Sequence, residues 1–370
     1  MQQQYDWIEL SQYLKDSQKR IFIVTGKASF KLSGAESRIH EIAGNNELIF
    51  FNDFTPNPQL KDIEKGVLAF QKANPDLLIS IGGGSTLDVA KSINFLSKLP
   101  EKDHLEALSN AKKFEENFYI NHIAIPTTFG TGSESTSFAT VYVGAKKYSL
   151  KARSCLPSGY LLDPQLGLSA SPYIKACCGM DALCQAIESF WAKDATEESR
   201  AFAKKAIVIL MEDLKGFVQG ISENAIQNVA RGSNLAGKAI NISKTTAPHA
   251  ISYGITQKFG IKHGQAVFLT LPYFLMQNLN QLPHKIAQKL LYCFKSNTPE
   301  EAVSKLIELA NKIGLQSNLC DIVDLSAKDA HELADDINLE RLANHPIIIS
   351  HQDIVESILG SVLKENGPQK

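Results

Sequence analysis

Two histidines, His249 and His263, stand in short turn-forming surroundings, the segments APHA and GIKHG. Neutral imidazole is the commonest protein ligand for metal ions, and small neighbours leave room beside each ring for a metal, a cofactor or a substrate. Upstream, Asp181 lies in the apolar helical pattern GMDALCQAIESF, where a buried carboxylate needs a partner or a metal. One carboxylate and two imidazoles form a ligand set for Fe²⁺ or Zn²⁺ with open positions for a substrate oxygen.

Each of these residues also has a purely structural interpretation. Buried histidines commonly hydrogen-bond to backbone groups, and an aspartate near the start of a helix is favoured by the helix dipole. Asp181, Gln185 and Glu188 lie at i, i+4 and i+7, on one helix face that its apolar neighbours predict to be partly buried. The spacing alone leaves both interpretations open.

A glycine loop follows the third predicted strand and precedes a helical pattern. It consists of Gly82, Gly83, Gly84 and Ser85, with Asp88 in the first turns of the helix. Glycines let a backbone approach a ligand closely, and a helix start offers free N–H groups to phosphate, which indicates a dinucleotide. The loop matches neither GxGxxG nor a P-loop, and a connector without a ligand is the alternative.

A cluster of hydroxyl groups follows the next predicted strand, NHIAIP. Its candidate cofactor contacts are Thr127, Thr128, Thr131 and Ser133. Because open α/β sheets bind ligands at the carboxyl ends of their strands, two such loops at two strand ends favour nucleotide binding over a plain surface loop.

The order of elements predicts two domains. In the first half, near-continuous apolar strands alternate with helical patterns, which indicates βαβ units and a parallel sheet. From Ser171 onward helical patterns dominate. We therefore expect an α/β domain over residues 1–165 and a helical domain over residues 166–370.

Composition narrows the class of protein. The chain has 370 residues, 44% of them hydrophobic, and a net charge of −1. This balance predicts no nucleic-acid or membrane partner. The polar N-terminus lacks the apolar core of a signal peptide, and six cysteines without a CxxC pair are typical of reduced thiols, so we expect a cytoplasmic protein.

Taken in order, six segments resemble the iron-containing (group III) alcohol dehydrogenase family: GGGSTLDVAKSI, IPTTFGTGSESTSFATVY, LLDPQL, GMDALCQAIESFWA, HAISY and GIKHGQAV. The resemblance implies a dinucleotide-binding α/β domain and a helical domain, in the dehydroquinate synthase-like arrangement where metal and nicotinamide meet in a cleft. It also implies interconversion of alcohols and aldehydes with NAD or NADP, and a dimer or larger homo-oligomer.

By position, the resemblance assigns the pyrophosphate to the glycine loop and the metal to Asp181, His249 and His263. Two positions differ from the commonest family pattern. Gln185 and Tyr253 both stand where many members have histidine, so the fourth metal contact is either the Gln185 amide oxygen or water. Tyr253 is also a candidate proton donor, although its ordinary pKa is near 10.

The residues after the first strand bear on the choice of cofactor. Many NAD-preferring relatives have an aspartate there that repels the 2′-phosphate of NADP, and this chain has Gly26 and Lys27. Lys27 can pair with phosphate, so we expect NADP(H) in preference to NAD(H).

The run KTTAPHAISY resembles the phosphonoacetaldehyde reductase (hydroxyethylphosphonate dehydrogenase) branch of the family. Cations and hydroxyls suit a dianionic head group, so the predicted contacts to a small anionic aldehyde are Lys244, Thr245 and Thr246, with Lys151 and Arg153 as second candidates. Ordinary surface cations are the alternative. Rival functions are a dehydrogenase of an uncharged alcohol or diol of the butanol or glycerol type, a dehydroquinate synthase-like metal lyase, and a nucleotide-binding subunit without catalysis.

Overall fold

The computed structural model describes residues 2–15, 18–114, 119–337 and 342–360. The chain divides into two compact units, Met1–Ala170 and Ser171–Lys370. The second unit begins where Ser171 caps a long helix through its side chain. Among the described helices, none is both long enough and apolar enough to cross a membrane.

The N-terminal unit contains eight strands and six α-helices in its described part. The strands are β1 (Gln3–Tyr5), β2 (Arg20–Thr25), β3 (Glu47–Phe51), β4 (Leu77–Gly82), β5 (His122–Pro126), β6 (Phe138–Val143), β7 (Lys146–Lys151) and β8 (Gly159–Leu161). The helices are α1 (Trp7–Leu14), α2 (Ser29–Leu32), α3 (Ala35–Ile42), α4 (Leu60–Ala73), α5 (Gly84–Leu96) and α6 (His104–Ser109).

Six of these strands form one parallel sheet in the order β1-β8-β5-β4-β2-β3. Side chains alternate between its faces, so Ile21 and Ile23 of β2 pack in one core layer while Phe22 and Val24 pack in the other. Both layers are buried, which explains the near-continuous apolar strands. The expected α/β class with a parallel sheet is confirmed.

Three details differ from the sequence prediction. The segment Phe138–Val143 is a strand, but it pairs antiparallel with β7 in a separate hairpin. Strands β1 and β8 were not predicted, because three residues carry no readable periodicity. Helix α5 begins inside the predicted loop, at Gly84, so the last glycine and Ser85 form its first turn.

The described part of the C-terminal unit contains nine α-helices. They are α7 (Pro172–Trp191), α8 (Glu197–Gln219), α9 (Glu223–Ser243), α10 (Ala247–Phe259), α11 (His263–Gln281), α12 (His284–Cys293), α13 (Pro299–Lys312), α14 (Ala327–Asp335) and α15 (His351–Leu359). Hydroxyl side chains at Thr196, Ser222, Thr298, Ser326 and Ser350 cap five of the starts. Helices α7, α8 and α9 pack together, and α11 packs on α7 and α10.

Candidate functional site

Three helices of the C-terminal unit bring one potential metal ligand each to a single point. Asp181 lies in the middle of α7, His249 in the first turn of α10, and His263 at the first position of α11. Their ligand atoms all lie within 4.8 Å of one another. His249 Nε2 is 3.3 Å from Asp181 Oδ1, and His263 Nε2 is 3.9 Å from the same oxygen.

Three buried polar atoms at this point have no hydrogen-bond partner: Asp181 Oδ1, His249 Nε2 and Gln185 Oε1. The 3.3 Å contact between Asp181 and His249 lacks the alignment of a hydrogen bond. Gln185 Nε2 donates to Asp181 Oδ2 at 3.1 Å, which leaves its carbonyl oxygen beside the cluster. Because buried polar atoms are rarely left unpaired, these donors fit a divalent metal, with the Gln185 oxygen as a fourth donor.

Glu188 orients the first histidine from the other side. Its carboxylate is fully buried, and one oxygen contacts His249 Nδ1 in a short hydrogen bond. The other oxygen accepts bonds from the Thr246 amide at 3.0 Å, the Thr246 hydroxyl at 2.9 Å and the His249 amide at 3.3 Å. A carboxylate on Nδ1 holds Nε2 free for a metal. The i+7 spacing correctly predicted that Glu188 shares a helix face with Asp181, but it did not predict the contact between Glu188 and His249.

Charge at the cluster favours cations. Burial lowers the pKa of His249, but the carboxylates of Glu188 and Asp181 outweigh it and raise that pKa to about 10. Burial raises the pKa of Asp181, but its contacts with His249, His263 and Gln185 lower that pKa by more, so the net shift is downward. At neutral pH a metal therefore has to displace a proton from His249, because only the neutral ring is a ligand.

The second histidine is held differently. Gly264 touches α7 so closely that a Cβ there would lie 1.9 Å from the Cys177 carbonyl oxygen, so glycine is needed for His263 to reach Asp181. The Tyr253 ring stacks on His263, with centroids 5.5 Å apart and planes inclined by 10°. The side chain of His263 is 37% exposed, against 6% for His249.

In the N-terminal unit, the two predicted cofactor loops touch each other. A Cβ on Gly84 would lie 2.8 Å from the Thr131 side chain, and one on Gly83 would lie 3.2 Å from the Thr128 hydroxyl. The Thr127 amide donates to the Gly82 carbonyl at 2.9 Å. Larger residues would separate the loops, which explains the glycines at the carboxyl end of β4.

The loops keep some polar groups available and use others internally. The start of α5 has no side-chain cap, and the buried Thr127 hydroxyl has no partner, as expected for groups that meet a ligand. The Ser85 hydroxyl, in contrast, donates to the Pro56 carbonyl in a short hydrogen bond.

Asp88 and Ser133, both predicted to contact the cofactor, contact each other. The Ser133 hydroxyl donates to Asp88 at 2.7 Å, and the Thr140 amide donates to its second oxygen at 2.9 Å. Beside them Lys91 is fully buried and donates to Ser133, Thr136 and the Phe138 carbonyl at 2.8, 3.0 and 3.0 Å. Burial lowers the pKa of Lys91. Lys91 therefore connects the hydroxyl loop to α5. A single cation within an apolar helical pattern could have indicated this role from the sequence.

Gly26 and Lys27 lie on the rim of a separate cavity of about 280 Å³ at the carboxyl end of β2. The polar groups on its rim include Lys31 and His40, and the rings of Phe30 and Phe50 form apolar walls. A Cβ on Gly26 would lie 2.3 Å from the Ser29 hydroxyl. Glu36 also lines the cavity, which therefore combines flat apolar surface with charged side chains of both signs.

The residues predicted to hold the substrate lie in two places. Lys244 is exposed and forms an ion pair with Asp194 at 3.1 Å, and the Thr245 carbonyl accepts a bond from Asn344 at 3.0 Å. The buried Thr246 hydroxyl donates to Glu188 and accepts from Trp191. Lys151 and Arg153 are exposed on and after β7. Their role in substrate binding stays a prediction.

Comparisons with known proteins agree with this architecture. A model of iron-containing alcohol dehydrogenases matches residues 1–164, and a model of the C-terminal part of the Fe-containing alcohol dehydrogenase family matches residues 175–362. The fold, the metal-ligand cluster and these matches agree: the chain belongs to the iron-containing alcohol dehydrogenase family.

Individual relatives share about a quarter to a third of their residues with this chain. The chain is 31% identical over 329 residues to aldehyde-alcohol dehydrogenase 2 of Entamoeba histolytica, covering 85% of this chain but 37% of that protein. It is 27% identical over 321 residues to 1,3-propanediol dehydrogenase of Klebsiella pneumoniae, covering 82% and 81%. A sulfoacetaldehyde reductase from Bifidobacterium kashiwanohense, solved with NAD⁺, gives a TM-score of 0.84 at 27% identity over 97% of this chain and 96% of that one.

The role of Glu188 can be tested by Glu188→Gln. The amide keeps an oxygen for the backbone donors but turns an N–H₂ group toward His249 Nδ1. We expect about 10- to 100-fold weaker Zn²⁺ binding, the usual cost of losing such a partner, measured by competition with a chromophoric chelator. The exposed Glu198 provides a control, since Glu198→Gln should bind as the wild type does. Equal affinity in Glu188→Gln contradicts the assignment.

The role of Lys91 can be tested by Lys91→Met, which keeps the volume and removes the charge. Ser133, Thr136 and the Phe138 carbonyl then lose a buried donor, so we expect the free energy of unfolding to fall by about 2–4 kcal/mol. Urea denaturation measures the change, with Lys72→Met on the exposed face of α4 as the control. Unchanged stability would show that Lys91 is dispensable for the loop.

Proposed function

We propose that the protein is a metal-dependent NAD(P)H oxidoreductase that interconverts an aldehyde and a primary alcohol. The observation that carries this proposal is the convergence of Asp181, His249 and His263 with three unpartnered buried polar atoms. When bound, a divalent metal supplies Lewis-acid polarisation of the carbonyl. When bound, the reduced nicotinamide supplies the hydride.

The chain's own residues hold and orient these groups. Asp181, His249 and His263 hold the ion, with Gln185 as the fourth ligand, and Glu188 fixes the tautomer of His249. The glycine loop and the uncapped start of α5 receive the pyrophosphate. The proton for the product oxygen comes from water, from the cofactor ribose or from the hydroxyl of Tyr253, whose ring stacks on His263.

We propose phosphonoacetaldehyde as the aldehyde and 2-hydroxyethylphosphonate as the alcohol. The combination of Gln185 and Tyr253 at two positions that are commonly histidine supports this branch of the family. The similarity to a sulfoacetaldehyde reductase adds support, because sulfoacetaldehyde is also a two-carbon aldehyde with an anionic head group. The proposed head-group contacts are the predicted cations, Lys244, Lys151 and Arg153.

The second candidate is an uncharged substrate. The similarity to 1,3-propanediol dehydrogenase favours it, because that relative matches most of both chains. The two candidates differ in whether activity depends on a negative charge at the end of the substrate.

For the cofactor we propose NADP(H). Gly26 presents no carboxylate to a 2′-phosphate, and Lys27 and Lys31 outnumber Glu36 among the charged residues that line the nearby cavity. The NAD⁺ complex of the sulfoacetaldehyde reductase makes NAD(H) the alternative. We also propose that the protein acts in the cytoplasm as a homodimer or larger homo-oligomer.

The substrate is tested by NADPH oxidation with metal-reconstituted enzyme. Phosphonoacetaldehyde, sulfoacetaldehyde and propionaldehyde are compared, with Asp181→Asn as the inactive control. Each lost charged hydrogen bond costs about 1.5–3 kcal/mol, so we expect kcat/KM for propionaldehyde to be about 100-fold or more lower than for phosphonoacetaldehyde. Equal values for charged and uncharged aldehydes would favour the second candidate.

The cofactor is tested by Lys27→Met. Losing one charged contact to phosphate should raise KM for NADPH about tenfold and leave KM for NADH unchanged. Lys61→Met, on the exposed surface of α4, controls for loss of positive charge. A parallel rise for both cofactors, or no rise, contradicts the assignment of Lys27 to the 2′-phosphate.

A further inference from the structure

The connection between α9 and α10 contains an unusual backbone conformation. Lys244 is the first residue after α9 and lies three residues before the start of α10. Its backbone has φ +60° and ψ −172°. This region of backbone space is adopted almost only by glycine, because a Cβ collides with the neighbouring peptide groups. A lysine stays there only when its surroundings hold it.

Asn344 provides that restraint from a distant part of the chain. Its side-chain amide donates to the Ser243 carbonyl at 2.7 Å and to the Thr245 carbonyl at 3.0 Å. These two residues flank Lys244 on either side. Both hydrogens of one NH₂ group are therefore used to fix the peptide groups around the strained residue.

The Asn344 side chain is itself fixed in one orientation. The Asp194 amide donates to its side-chain oxygen at 3.1 Å, and the Lys193 amide donates to its backbone carbonyl at 2.9 Å. Since the oxygen faces a donor, the NH₂ group must face the carbonyls of Ser243 and Thr245. Asp194 also forms the ion pair with the Lys244 ammonium.

The connection leads directly into the first turn of α10, which carries His249. Thr246 bonds to Glu188, and the Ala247 amide donates to Nδ1 of the fully buried His345, the neighbour of Asn344, at 3.4 Å. Two residues later stands His249. Any relaxation at Lys244 therefore moves the start of α10 and the ligand it carries.

We propose that Asn344 is a positioning residue of the metal centre: by holding Lys244 in its left-handed conformation, it places His249 for metal binding. The inference rests on the metal centre proposed above. It assigns to the segment before His249 a structural task that is independent of any contact with substrate.

The test measures Zn²⁺ binding to metal-free protein by chelator competition, without substrate. Asn344→Ala should raise the Zn²⁺ dissociation constant about 10- to 100-fold, as for other outer contacts of metal ligands. Adding Lys244→Gly to Asn344→Ala should restore the dissociation constant to within about threefold of wild type, because glycine adopts this conformation without a restraining side chain. Adding Lys244→Ala instead, which also removes the ammonium but keeps a Cβ, should leave the dissociation constant as high as in Asn344→Ala alone.

The comparison of glycine with alanine separates backbone strain from charge. Wild-type affinity in Asn344→Ala, or equal behaviour of the two double variants, overturns the proposal. If Asn344→Ala lacks a cooperative thermal transition, Lys244→Gly must restore that transition and Lys244→Ala must not; any other result overturns it. If the wild-type protein binds no Zn²⁺, the proposed metal centre fails, whereas tight binding unaffected by Asn344→Ala refutes only the role of Asn344.

Discussion

The carboxylate of Glu188 is shielded from water, and the arrangement around His249 follows from that fact. A buried carboxylate costs several kcal/mol unless its oxygens are satisfied. The partners of Glu188 are two amides, one hydroxyl and one imidazole, all from Thr246 and His249. Because these partners lie at the start of α10, satisfying the carboxylate also fixes that helix against α7. The ligand nitrogen of His249 is then aimed at Asp181 with little freedom to rotate.

The N-terminal unit uses a buried charge of opposite sign in a comparable way. Lys91 lies inside α5 and finds its acceptors on the segment that follows β5. A buried ammonium, like a buried carboxylate, allows few arrangements of its neighbours. The glycine loop and the hydroxyl loop are consequently held in contact by Lys91 on α5, the helix that follows the glycine loop. Each unit thus fixes a ligand-bearing segment through one charged residue on a neighbouring helix.

Residue types and periodicity predicted the parallel sheet and the helical unit, because these follow from patterns along the chain. The set of Asp181, His249 and His263 was predicted from ligand chemistry together with the family resemblance. Residue types and periodicity could not predict which polar groups serve a ligand and which serve the fold. Asp88 and Ser133 have the chemistry of cofactor contacts, yet they bond to each other. Such choices depend on distances between segments far apart in sequence. The same holds for Asn344, whose partners lie about a hundred positions upstream.

The replacement of histidine by glutamine at position 185 changes the character of the metal centre. The Gln185 amide donates to one oxygen of Asp181 and keeps its own carbonyl unpartnered, so the two side chains present an oxygen each. In the proposed centre the donor set is two imidazole nitrogens and two oxygens. Oxygen donors suit harder cations, and imidazole suits both Fe²⁺ and Zn²⁺. Asp181 is the one anionic ligand of this set, and the second buried carboxylate, that of Glu188, acts on the centre through His249.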